Sequence, residues 1–90
     1  MGRYKEAIGQ YRRALETAPA QYQGPLKSNL ALAHYKAGEF QNAVQTLEPL
    51  RAGVAPDPKI DLLVADCYLQ LGKLPKAVAV LAPYESNPED

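Results

Sequence analysis

The chain has 90 residues, ten basic and ten acidic side chains, and 47% hydrophobic residues. One modest core fits that length, and the neutral balance argues against a dedicated nucleic-acid binder, which needs a basic surface to neutralise phosphates. No apolar run approaches the roughly 18–20 residues needed to span a bilayer.

Apolar residues at three- and four-residue spacing predict a first helix over about 3–18, carrying Tyr4, Ala7, Ile8, Tyr11, Ala14 and Leu15 on one face. A break is expected over Pro19–Gly24. A second helix over 25–37 follows, opened by Pro25 in the first turn, where the missing N–H costs nothing. Gly38 permits a left-handed reversal into a third helix over 40–52. Pro49 falls inside that helix and predicts a kink, or an end just before it. After a break over Gly53–Pro58, a fourth helix covers 58–71. It is apolar nearly all round, which predicts burial on two sides. Gly72 opens the second tight turn, and a fifth helix covers 74–86, with Pro83 predicting a second kink or end. None of the five is long enough to be stable alone, so packing must hold them.

Three strings share a pattern: GRYKEAI from Gly2, GEFQNAV from Gly38 and GKLPKAV from Gly72. Their glycines stand 36 and then 34 residues apart. Ala31 and Ala65, Leu47 and Leu81, and Pro49 and Pro83 keep the 34-residue period. Small residues at Ala7, Ala31, Ala43, Ala65 and Ala77 would let helices approach closely. Large ones at Phe40, Leu47, Leu74 and Leu81 would fill the space between helix pairs. A pair buries only one of its faces, so pairs stack side by side.

This pattern resembles the tetratricopeptide repeat family, whose 34-residue helix–turn–helix units carry small residues at fixed places, a turn Gly and a following large residue. The match rests on Ala31, Ala65, Ala7, Ala43 and Ala77, on Gly2, Gly38 and Gly72, on Tyr4, Phe40 and Leu74, and on Pro19 and Pro88 near repeat ends. Tyr68 matches the first-helix aromatic, and His34 departs from it. The resemblance implies an all-α, right-handed solenoid of stacked antiparallel hairpins. It comprises the second helix of an incomplete repeat (1–21) and two repeats (22–57 and 58–90), together part of a longer protein. Tyr4, Ile8, Tyr11 and Leu15 are then expected to lack the helix that covers them, which makes them a possible self-association face. Val80 and Tyr84 would await a following helix at the other end.

The resemblance also implies a concave groove lined by first helices and holding a peptide or partner helix. The residues expected there are Ser28, Asn29, Leu32, Tyr35 and Lys36, then Leu62, Leu63, Asp66, Leu69 and Gln70. The competing expectation for Leu32 and Leu62 is packing between helices. Asn29 matches one member of the carboxylate clamp that one subgroup uses on heat-shock chaperones. Leu62, Leu63 and Asp66 stand where its basic partners belong, so that clamp is not expected.

No Cys/His set with zinc spacing, phosphate-binding glycine loop or Ser/His/Asp arrangement is present. His34 is expected as a packed, singly hydrogen-bonded residue and Cys67 as a small buried one. Asp57 is expected as an N-cap, with Asp61 and Asp66 solvated. The six tyrosines follow core spacing, with Tyr22 and Tyr35 as the exceptions. The expectation is therefore a non-enzymatic protein-interaction module without cofactor or metal. Its partner would be a protein or peptide, or a second copy meeting the exposed solenoid ends; nucleic acid and membrane insertion are not expected. The rival expectations are a self-associating scaffold unit and an accessory segment of a larger enzyme or secretion machine. Residues 1–10 lack a signal-peptide core, so a soluble, cytoplasmic chain is expected ahead of a periplasmic one.

Overall fold

The computed structural model describes residues 3–51 and 57–84. Those residues form α1 (Arg3–Thr17), α2 (Ala20–Lys36), α3 (Phe40–Arg51), α4 (Pro58–Gln70), α5 (Leu74–Leu81) and a closing 3-10 turn (Ala82–Tyr84). There is no strand among them. Each helix packs on the next, and α2 also touches α4. The product is a helical repeat solenoid, elongated at 47 × 29 × 17 Å.

Two turns repeat the same hydrogen bonds 34 residues apart. After α2, the amide of Gly38 bonds to Tyr35 O at 3.0 Å and that of Glu39 to His34 O at 2.8 Å. After α4, Gly72 bonds to Leu69 O at 3.0 Å and Lys73 to Tyr68 O at 2.8 Å. This pair of bonds closes a helix end around a left-handed residue. Gly38 (φ 83°) and Gly72 (φ 76°) supply it, and only glycine adopts that conformation without strain.

The main core runs through α2 to α5. Ala31, Ala43, Ala65 and Ala77 are buried where helices cross, around Val44, Leu47, Val64, Cys67, Tyr68 and Val80. Tyr35 and Phe40 pack edge to face beside it, with ring centroids 5.5 Å apart. A smaller cluster of Ile8, Leu30 and Ala33 joins α1 to α2. His34 is buried, and its Nδ1 lies 2.7 Å from Glu39 Oε1 across the turn. That bond holds the Glu39 carboxyl below its ordinary range.

Several boundaries differ from the periodicity. The expected break over Pro19–Gly24 is helical from Ala20 onward, and Pro25 is the sixth residue of α2. Pro25 strands only the carbonyl of exposed Gln21, which water can satisfy. The reversal needs just Ala18 and Pro19 because Gln23 Nε2 bonds back to Leu15 O (3.0 Å) and Ala18 O (2.9 Å), supplying carbonyls that the end of α1 leaves free. Pro49 does not end α3, which continues to Arg51; the carbonyl it strands belongs to Gln45, again an exposed residue. At Pro83 the α-helix does end beforehand, at Leu81. The reading of Gly2 as a turn residue, most of the Gly53–Pro58 break, the last residues of the fifth helix and Pro88 fall outside the described residues.

The burial pattern brings further corrections. Leu74 does not fill the space between pairs: it is 59% exposed, with Val78 one turn on at 53%. Val80 is buried in the core rather than awaiting another helix. The Tyr4, Ile8, Tyr11 and Leu15 face is largely covered by α2: Ile8 is buried against Leu30 and Ala33, Tyr11 and Leu15 pack around them, and Tyr4 alone is exposed. α4 is buried on two sides, between α3 and α5, but it is not covered all round, since Leu62 and Leu69 are exposed. Among the tyrosines, Tyr4 and Tyr84 join Tyr22 as exposed residues.

Asp61 is not solvated. It is buried on α4, with Oδ1 accepting from Arg51 Nε of α3 at 2.8 Å and Oδ2 from the Tyr84 hydroxyl at 2.5 Å. Arg51 also reaches Glu48 at 2.9 Å, and Glu48 accepts from the Tyr68 hydroxyl at 2.5 Å. Two helices, α3 and α4, and the closing turn thus share one polar cluster. Burial opposes charge on Asp61, but the Tyr84 and Arg51 bonds outweigh it and hold the carboxyl below its ordinary range. The bond to Asp61, aided by burial, pushes the Tyr84 hydroxyl up to about 12. Burial and then Glu48 push Tyr68 to about 12.

Candidate interaction groove

α2 and α4 lie side by side, with a cavity of about 500 Å³ between them. Helical spacing puts Ser28, Asn29, Leu32 and Tyr35 on one wall, since these positions recur every three to four residues. The same spacing puts Lys59, Leu62, Leu63 and Asp66 on the other, together with Ile60. Leu47 of α3 lines the cavity between them, and Asp57 sits at one end. Asp57 is the N-cap of α4, accepting the Lys59 amide at 3.0 Å.

The walls are joined by one side-chain bond, in which the Tyr35 hydroxyl donates to Asp66 Oδ2. Asp66 is therefore only partly exposed, not the fully solvated residue expected. The bond, with burial second, raises the Tyr35 hydroxyl above its ordinary range. Behind the wall, burial and then the Asp66 charge push the Cys67 thiol to about 11, which leaves it inert at neutral pH.

A second, smaller cavity of about 200 Å³ lies between α1 and α2. Tyr4, Ala7 and Tyr11 form its α1 wall; Asn29, Leu32, Ala33 and Lys36 form the other. Asn29 and Leu32 line both cavities.

Of the residues expected in the groove, the structure brings Ser28, Asn29, Leu32, Tyr35, Leu62, Leu63 and Asp66 together in the larger cavity. Lys36 lines the smaller one instead. Leu69 and Gln70 are exposed further along α4 and line neither. Leu32 is 39% exposed and Leu62 59%. Sequence reasoning missed Leu47, Asp57, Lys59 and Ile60. Lys59 could have been found from its position four before Leu63 and seven before Asp66. Leu47 could not, because it comes from a second helix.

Among the described residues no group of His, Cys, Asp and Glu could hold a metal ion, and no helix is long and apolar enough to cross a membrane.

A sequence model of the family described as anaphase-promoting complex, cyclosome, subunit 3 matches residues 1–84. The chain belongs to that family, which is of the tetratricopeptide repeat type. No curated protein and no solved structure matches it.

Proposed function

We propose, from that membership, that the chain is a non-enzymatic protein–protein interaction module whose α2/α4 groove receives an apolar segment of a partner protein. One observation carries the reading: a cavity of about 500 Å³ flanked by the exposed leucines Leu32 and Leu62. Concave, mostly apolar surfaces with a few placed polar groups are where ligands lose most water on binding. Exposed apolar side chains gathered in one place also mark interaction sites. Asn29 and Ser28 add side chains that can donate to or accept from a peptide backbone.

The test is the double change Leu32→Glu with Leu62→Glu. Both side chains are exposed, so the helical circular dichroism is expected to stay unchanged while binding of peptides selected on the native chain is lost. Binding that survives both charges overturns the reading.

A second reading, self-association, draws on Leu74 and Val78, which stand one turn apart and exposed on α5. Light scattering over a concentration series separates the two. The groove reading expects a monomer throughout; a dimer that Val78→Glu dissociates supports the second reading.

A further inference from the structure

The charges along the concave face change sign across α2. Lys36 is the one charged residue lining the smaller cavity. The larger cavity has three, but Asp57 and Lys59 are opposite in sign and two residues apart at the start of α4, so that end is balanced. Asp66, on the third turn of α4, has no such neighbour. Its Oδ2 takes the Tyr35 hydroxyl, and Oδ1 has no hydrogen-bond partner among the described residues. Neither Asp66 nor Lys36 makes an ion pair among the described residues. Because Tyr35 and Lys36 are adjacent, the anionic and cationic sites lie at one level of the face, on either side of α2. Leu32 lies between them, on the wall the two cavities share.

Resting on the groove reading, we infer that the partner segment is bipolar: apolar residues over Leu32 and Leu62, an acidic side chain toward Lys36 and a lysine or arginine toward Asp66. A segment of the reverse polarity would set like charges together at both sites. The opposed charges therefore fix the direction in which the segment crosses α2. Partly exposed pairs of this kind contribute only a few-fold each in affinity, so their effect is on selectivity and orientation.

The probe is a library of random linear peptides displayed on phage. It is panned on the native chain, on Leu32→Glu with Leu62→Glu, on Lys36→Glu and on Asp66→Asn. The last change keeps an acceptor for Tyr35 while removing the charge. Peptides selected on the native chain are expected to carry an acidic and a basic residue at fixed spacing around an apolar pair. They are expected to bind Lys36→Glu or Asp66→Asn about 2- to 5-fold more weakly. Selection on Lys36→Glu is expected to exchange the acidic preference for a basic one, and selection on Asp66→Asn to lose the basic preference. Peptides that need Leu32 and Leu62 but show the same charges on all chains overturn the bipolar assignment and leave the groove standing. Peptides that bind equally well after Leu32→Glu with Leu62→Glu, or a library yielding none, overturn the groove reading itself. A native dimer that the leucine changes dissociate places a second copy in the groove and also overturns the assignment.

Discussion

Shortening Leu47 to alanine is expected to lower the unfolding free energy by about 2–5 kcal/mol. Leu47 is completely buried on α3, in the core shared by α2 to α5, and is the largest side chain so enclosed. Removing most of it loses its transfer energy and leaves a void that helices already spaced by alanines cannot close. Domains of this size hold roughly 5–15 kcal/mol, so the loss takes a large share of the total. Leu47 also lines the groove, so the void would open beneath Leu32 and Leu63. Urea unfolding followed by circular dichroism measures the effect. A change below about 1 kcal/mol would mean that α3 does not close on α2 and α4 as described.

Acidification is expected to destabilise the fold through Asp61. Its carboxyl titrates lower in the folded chain than in the unfolded one. The unfolded chain therefore takes up the proton first as pH falls. The stabilisation is complete above the ordinary carboxylate range and is lost as pH falls through the folded value. Glu39, held low by His34, adds to the same acid limb. Asp61→Asn keeps the size but removes the charge that meets Arg51 and Tyr84. It is expected to cost about 1–3 kcal/mol at neutral pH and to flatten, without abolishing, the fall in stability below pH 4. Urea midpoints of both chains across the acid range decide it. Identical acid limbs would contradict the assignment of that fall to the Arg51–Asp61–Tyr84 cluster.

The helices and their period were legible because Gly38 and Gly72 are obligatory: their left-handed conformations mark the same turn 34 residues apart. The start of α2 was not legible. Pro25 suits a first turn, and nothing local shows that Gln23 folds back to serve the end of α1. The wall residues Leu32, Tyr35, Leu62 and Asp66 followed from helical spacing together with the family resemblance. Lys36 and Leu69 were placed beside them on the same grounds, but Lys36 turns toward α1 and Leu69 lies further along α4. Asp61 was misread because its partners come from elsewhere in the chain. Arg51 is ten residues before it and Tyr84 twenty-three after, and only the packing of α3, α4 and the closing turn brings them together.

The most direct test of the groove is a titration of the isotope-labelled chain with a peptide selected on it, followed by amide chemical shifts. The predicted result is perturbation gathered along α2 and α4, at Asn29, Leu32, Tyr35, Leu62 and Asp66, with the exposed face of α5 unchanged. Perturbation confined to Leu74 and Val78, with the α2 and α4 walls silent, would contradict it.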